Sequence, residues 1–115
     1  MPVTIYHNPQ CSKSRQTLKL LEERGVEPTI IEYLKEPPTE PELKRVLKLL
    51  GLKPRELLRK KEAEYKKAEL DKPDLSDAEI VCAMVKYPRL IERPIVVSGT
   101  KAALGRPPEN VLKIL

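Results

Sequence analysis

The chain has 115 residues and a formal net charge of +5, from 22 Lys and Arg against 17 Asp and Glu. This length fits one domain with one hydrophobic core, and no run approaches the roughly 18 apolar residues of a membrane span. Four Tyr and no Trp or Phe leave few side chains for stacking on bases, which argues against nucleic-acid binding and favours small anions as partners.

The cysteine and histidine content limits disulfide and metal chemistry. The two cysteines, Cys11 and Cys82, are fewer than a disulfide-stapled secreted domain normally has. One histidine and two distant cysteines do not make a four-ligand zinc site. The first five residues lack the basic and apolar regions of a signal peptide, so we expect a cytoplasmic protein without a metal.

The two ends of the chain predict strands and the middle predicts helices. Residues 3–6 and 28–34 are β-rich and flank a helical pattern at 15–24, which predicts a βαβ unit with parallel strands. Residues 94–97 and 101–104 predict an antiparallel hairpin, and 110–115 a last short helix.

Helix signals fill the segment from about residue 36 to residue 90. Thr39 with Glu42 and Ser76 with Glu79 have the spacing of capping boxes, and each pair precedes an apolar stripe. Pro54 can begin a short helix, whereas residues 60–72 are typical of a solvated helix or loop. We therefore predict an α/β fold: a single domain over residues 1–115, with a mixed sheet flanked by helices and a helical insertion at about 36–90.

Cys11 lies where the first strand gives way to the first helix. The first N–H groups of a helix lack partners within it and carry partial positive charge, so they stabilise a thiolate and bind an oxyanion. The flanking residues are polar, which argues against an inert buried cysteine. Near a cation, the pKa of such a thiol falls from about 8.5 to roughly 3.5–7.5. We predict that Cys11 is a nucleophile toward an oxyanion.

The cysteine motif has a single thiol. Ser14 stands where a Cys-x-x-Cys motif would place a resolving cysteine, and its hydroxyl either hydrogen-bonds the Cys11 thiolate or serves ordinary helix-start chemistry. Phosphatase-type loops have Arg six residues after the nucleophile, where this chain has Thr17, so an arginine clamp must come from elsewhere. Cys82 lies in an apolar helical pattern, and we expect no redox role for it.

Four stretches resemble the glutaredoxin-coupled arsenate reductase family. They are HNPQCSKSR at residues 7–15, LLRK at 57–60, ERPIVV at 92–97 and GRP at 105–107, and the match runs in register from residue 4 to the end of the chain. The resemblance implies a thioredoxin/glutaredoxin-like mixed four-stranded sheet flanked by helices, with an inserted helical subdomain.

The resemblance also implies a set of catalytic residues. The nucleophile falls on Cys11, and the three oxyanion-binding arginines fall on Arg59, Arg93 and Arg106. Arginine suits this role because its planar fork binds several oxygens and always keeps its charge.

Three further positions have supporting roles in the same resemblance. His7 would lower the thiol pKa, which requires either a protonated ring nearby or an effect on loop order. Asn8 would hold the loop or contact the anion, and Pro94 would be a cis-proline beside the cysteine.

The implied activity is the reduction of arsenate to arsenite through a Cys11 adduct. Glutathione is then the co-substrate and glutaredoxin the partner that resolves the mixed disulfide, with no tightly bound cofactor and no metal. Two alternatives stay open: a glutathione-dependent reductase of other thiol substrates, and a non-enzymatic redox-linked regulator that binds RNA polymerase. The three arginines weigh against the first, and Ser14 in place of a second cysteine weighs against the second.

Overall fold

The computed structural model describes residues 2–115 and divides the chain into two compact units. The sheet unit comprises the residues up to Glu36 together with Arg93–Leu115, and the helical unit is Pro37–Glu92.

The sheet unit has four strands in the order β2-β1-β3-β4. β1 pairs with β2 in parallel, while β3 is antiparallel to both β1 and β4. Its elements are β1 Val3–His7, α1 Ser12–Glu23, β2 Thr29–Glu32, β3 Ile95–Ser98, β4 Lys101–Leu104 and a 3-10 helix at Pro108–Ile114.

Strand alternation builds the core of this unit and also places His7. Val3, Ile5 and His7 are the buried residues of β1, because successive side chains of a strand point to opposite faces. Ile5 packs in a cluster with Val3, Leu21, Val96 and Val111. Burying an aliphatic side chain of this size contributes about 1.5–3 kcal/mol to the stability of the fold. The packing of Ile5 therefore anchors β1, and with it the start of the loop that follows.

The helical unit contains α2 Glu40–Leu50, α3 Ala63–Lys67, α4 Asp77–Lys86 and 3-10 helices at Pro54–Leu57 and Pro88–Leu90. The predicted capping box of Ser76 and Glu79 is confirmed, since Ser76 Oγ accepts the Glu79 N–H at 3.2 Å and Glu79 Oε1 accepts the Ser76 N–H at 3.2 Å. At Thr39 one half is confirmed: Thr39 Oγ1 accepts the Glu42 N–H at 3.3 Å, while Glu42 Oε1 accepts from the Thr39 hydroxyl at 3.1 Å. The buried residues of α2 and α4 are Leu43, Val46, Leu47, Ile80, Val81 and Met84.

The mixed four-stranded sheet flanked by helices confirms the predicted fold class, while element boundaries differ. α1 begins at Ser12 rather than residue 15, because the polar residues after Cys11 form its first turn. The last helix is a 3-10 helix at Pro108–Ile114 rather than residues 110–115. Within residues 2–115, every helix is too short or too polar to cross a membrane. The single-domain assignment stays a prediction.

Candidate active site around Cys11

Cys11 is the N-cap residue of α1. Its backbone is extended, with φ −93° and ψ 124°, and its carbonyl oxygen accepts the first helical hydrogen bond from the Arg15 N–H at 3.0 Å. Its own N–H donates to the carbonyl oxygen of Asn8 at 3.0 Å, which closes the loop into a turn. The residue is 8% exposed, so the sulfur lies at the start of the helix and is largely shielded from solvent.

Neighbouring groups favour the thiolate form of Cys11. Burial raises the pKa of the thiol, but the Ser14 backbone N–H, the charge of Arg93, the Lys13 N–H and a hydrogen bond from the Arg93 side chain outweigh it, so the pKa is lowered. The Cys11 side chain makes no N-cap hydrogen bond that meets the usual distance and angle limits. The lowered pKa therefore reflects several partial contributions at the helix start, as expected for a reactive cysteine.

The side chain of Arg106 is hydrogen-bonded to the backbone of Arg93. Arg106 Nε donates to the carbonyl oxygen of Arg93 at 2.8 Å. Both residues precede a proline in a cis peptide bond, at Arg93–Pro94 and Arg106–Pro107. The first cis bond confirms the expectation for Pro94; the second was not anticipated. The structure thus brings two of the three predicted arginines into the sheet unit with Cys11.

Ser14 links the loop to the helix through its hydroxyl oxygen. The side chain is fully buried, and Oγ lies 2.6 Å from His7 Nδ1 while accepting the Asn8 N–H at 3.0 Å. Of the two roles left open for this serine, the hydroxyl contacts in the structure are with the loop. Its contribution to the thiolate comes from its backbone N–H.

The environment of His7 favours the neutral imidazole. Burial lowers the pKa of His7 most strongly, the charge of Glu32 raises it, and the charge of Arg15 lowers it, with a net decrease. A histidine whose pKa lies below the usual value of about 6.5 is mostly uncharged at pH 7. His7 therefore does not supply a positive charge to the Cys11 thiolate at that pH. Of its two possible routes, the ordering of the loop through Ser14 is the one that the geometry supports.

The loop between β1 and α1 is held by two further hydrogen bonds that no sequence pattern predicts. Arg15 Nη1 donates to the carbonyl oxygen of Pro9 at 2.9 Å, and the Asn8 Oδ1 atom accepts the Gln10 N–H at 3.0 Å. The Asn8 side chain therefore holds the loop, which is one of its two predicted roles. Contact of Asn8 with an anion stays a prediction.

Gly105 allows β4 to approach α1 and the cis-proline. Its N–H donates to the Pro94 carbonyl oxygen at 2.9 Å. A Cβ at this position would press on the Thr17 side chain and lie 2.7 Å from Pro94 Cγ. Because real Cβ atoms do not pack at this distance, any larger residue would force the Thr17 and Pro94 side chains or the Gly105 backbone to shift. A glycine directly before a predicted site arginine was the only available sequence signal.

Arg59 belongs to the helical unit. Its Nη1 atom lies 2.8 Å from Glu62 Oε1, and its Nε atom lies 4.0 Å from Glu92 Oε1. No sequence pattern predicts either carboxylate as a partner of this arginine. The role of Arg59 in oxyanion binding stays a prediction from the resemblance.

The second cysteine lies outside this arrangement, and the described residues form no cluster of metal ligands. Within residues 2–115, no three His, Cys, Asp or Glu side chains come together as metal ligands. Cys82 is an exposed free cysteine in α4 of the helical unit.

Comparison with known proteins identifies the family. Residues 6–114 match the ArsC family. The chain is 53% identical over 114 residues to the uncharacterized protein YfgD of Escherichia coli K12, covering 98% of this chain and 96% of that protein. It is 51% identical to an arsenate reductase of Haemophilus influenzae over the full length of both chains. A solved structure of an arsenate reductase from Vibrio cholerae superposes with a TM-score of 0.97 at 52% identity, covering 100% of this chain and 98% of that one. This chain therefore belongs to the ArsC family.

Proposed function

We propose that the protein reduces arsenate to arsenite, with the Cys11 thiolate as nucleophile, glutathione as co-substrate and a separate glutaredoxin as the protein that regenerates the thiol. The observation that carries the proposal is the environment of Cys11. A helix start and Arg93 together lower the pKa of a shielded thiol. The same groups suit an oxyanion, because N–H donors and a guanidinium both stabilise charge on oxygen.

In the first step, the Cys11 thiolate attacks arsenic, and one hydroxyl group of the arsenate takes up a proton from solvent and leaves as water, which gives a thiol ester of As(V). Arg93 and Arg106 neutralise the charge on the remaining oxygens. The hydrogen bond of 2.8 Å from Arg106 Nε to the Arg93 carbonyl oxygen holds the Arg106 side chain against the segment that carries Arg93. Arg59 is the third proposed cation, on the strength of the sequence resemblance.

In the second step, a glutathione thiolate attacks the Cys11 sulfur. The sulfur–arsenic bond breaks, its electron pair stays on arsenic, and arsenite leaves as As(III). Cys11 and glutathione supply one electron each and end as a mixed disulfide. Position 14 has a serine whose hydroxyl is bonded to the loop, so the resolving thiol in this scheme comes from another molecule. Glutaredoxin takes over the glutathionyl group and restores the Cys11 thiol.

The test is arsenate-dependent oxidation of NADPH in a coupled assay with glutathione, glutathione reductase and glutaredoxin. The complete mixture should oxidise NADPH, and omission of glutathione or glutaredoxin should abolish turnover. Cys11→Ser should be inactive, whereas Cys82→Ser, which removes the exposed cysteine of the helical unit, should retain activity. Activity that persists in Cys11→Ser would overturn the proposal. Activity with thioredoxin but not with glutaredoxin would contradict the assignment of glutathione and glutaredoxin as the reducing system.

A further inference from the structure

Arg59 is held between two carboxylates. Glu62 Oε1 lies 2.8 Å from its Nη1 atom, within the range of a charge-assisted hydrogen bond, and Glu92 Oε1 lies 4.0 Å from its Nε atom. The three side chains are 23%, 23% and 26% exposed, so they are partly shielded from solvent. Two negative charges thus face one positive charge in a setting where screening is weaker than in bulk water.

The backbone holds this arrangement in place. The Arg59 N–H donates to the Leu90 carbonyl oxygen at 2.8 Å, and the Glu92 N–H donates to the Leu57 carbonyl oxygen at 2.9 Å. An isolated antiparallel bridge joins Leu58 to Ile91 between these two bonds. Glu62 follows Arg59 by three residues in the chain. The backbone therefore holds residues 59 and 92 side by side, so that the Glu92 side chain as well as that of Glu62 can reach the Arg59 guanidinium.

Both ways in which this guanidinium can bind two oxygens use a nitrogen that lies near a carboxylate. A guanidinium binds two oxygens either through its two terminal nitrogens or through Nε with Nη2. Glu62 Oε1 pairs with Nη1, a nitrogen of the first kind of contact, and Glu92 Oε1 lies 4.0 Å from Nε, a nitrogen of the second. A tetrahedral oxyanion that takes Arg59 by either fork must therefore displace a carboxylate or accept its repulsion.

We infer that Glu62 is a specificity-determining residue that competes with the oxyanion for Arg59, with Glu92 adding to the same negative field. This inference rests on the proposed function, since it takes Arg59 to be one of the oxyanion-binding arginines. The carboxylate sets a threshold, because a weakly charged anion gains too little from Arg59 to displace Glu62. Removing the charge of Glu62 while keeping its shape lowers the threshold and tightens oxyanion binding.

Protection of Cys11 from alkylation measures this binding without turnover. In a Cys82→Ser background, the arsenate concentration that halves the rate of iodoacetamide alkylation is determined for each variant. Glu62→Gln should lower this concentration about five- to tenfold, because the amide oxygen still accepts a hydrogen bond from Arg59 but has no charge. The effect should shrink at high salt. In the coupled assay, the same variant should lower the KM for arsenate and leave kcat within twofold.

Two further variants separate the possible outcomes. Glu64→Gln removes the same charge two residues away; the ion pairs that Arg59 makes among the described residues are with Glu62 and Glu92, so this control should change the half-protecting concentration less than twofold. Arg59→Ala should raise the half-protecting concentration.

If Arg59→Ala raises this concentration but Glu62→Gln does not lower it, or lowers it no more than Glu64→Gln, the inference is overturned and the proposed function stands. If Arg59→Ala has no effect, Arg59 is not an oxyanion ligand and the inference falls with that assignment, while protection of wild-type Cys11 still supports the reaction at Cys11. If arsenate fails to protect Cys11 at all, the proposed function itself is contradicted.

Discussion

Arg106 Nε donates a hydrogen bond of 2.8 Å to the backbone carbonyl oxygen of Arg93. This bond ties the Arg106 guanidinium to the segment that carries both Arg93 and the cis-proline Pro94. The Arg106 side chain is therefore held against the segment that carries the second predicted oxyanion ligand. A cation that is already in position needs little reorganisation when negative charge develops on the substrate. Such preorganised charges are usually the largest contribution to the stabilisation of anionic transition states.

Replacing Arg106 by lysine keeps the charge but removes the Nε donor. A single ammonium cannot both bond the Arg93 carbonyl and present a planar fork to an oxyanion, so Arg106→Lys should raise the KM for arsenate about tenfold or more. The coupled NADPH assay measures it. An unchanged KM would show that charge alone suffices at this position and that its bond to Arg93 is incidental.

Arg93 should control the acidity of Cys11. The pKa of Cys11 is lowered in part by the charge and the hydrogen bond of Arg93, so Arg93→Gln should move the pH midpoint of iodoacetamide alkylation upward. In the parent protein with Cys82→Ser, the midpoint should lie below the value of about 8.5 that is usual for a free thiol. The thiolate, and with it the reaction rate, is lost as the pH falls through that midpoint.

Arg24→Gln is the matched control for that measurement. Arg24 is an exposed arginine at the other end of α1, and its removal changes the net charge by the same amount. Its midpoint should stay at that of the parent protein. Equal shifts for the two variants would mean that net charge sets the thiol pKa and that Arg93 has no local role.

Ser14 should matter for stability as well as for the loop. Ser14→Ala removes the partner of two groups, His7 Nδ1 and the Asn8 N–H, at a fully buried position. Leaving buried polar groups unpaired costs about 1–3 kcal/mol, which should be visible as a lower free energy of unfolding in urea. Ser12→Ala, an exposed serine in the first turn of the same helix, should cost within about 0.5 kcal/mol. Equal losses for the two serines would contradict the role given to the Ser14 hydroxyl.

His7 should make the protein sensitive to acid. Its pKa is lowered in the folded state, mainly by burial, so the unfolded chain binds more protons in the interval between the two pKa values. Stability should therefore be complete above about pH 6.5 and should decline as the pH falls below that value. Urea unfolding between pH 7.5 and 5.5 should show a steeper decline for the parent protein than for His7→Gln. Parallel declines would indicate that carboxylates alone cause the effect.

The sequence predicted the elements with strong local signals. The capping serine and threonine of α4 and α2, and the alternation that buries Val3, Ile5 and His7, follow from local patterns, and the structure shows them. The helical pattern places the start of α1 at residue 15, later than Ser12, because the polar residues at 12–14 show no apolar periodicity although they form the first helical turn. A run of polar residues does not reveal how many of its N–H groups already belong to a helix.

The candidate site was predictable in its residue types but not in its contacts. The motif and the family resemblance predict Cys11 and the arginines, because the chemistry of each lies in its own side chain. The bond between Arg106 and the Arg93 carbonyl and the pairing of Arg59 with Glu62 and Glu92 join residues by a backbone oxygen or by folded proximity. Glutamates are common in this charged chain, so no pattern distinguished these two from the others.

The central claim is that Cys11 receives arsenic and then passes its oxidation to glutathione. Mass spectrometry of the Cys82→Ser protein after incubation with arsenate and glutathione, in the absence of glutaredoxin, tests this directly. We predict one glutathionyl group per chain, located on Cys11 by peptide mapping, formed only when arsenate and glutathione are both present and removed by added glutaredoxin. An unmodified Cys11 after this incubation, or the same modification without arsenate, would contradict the account.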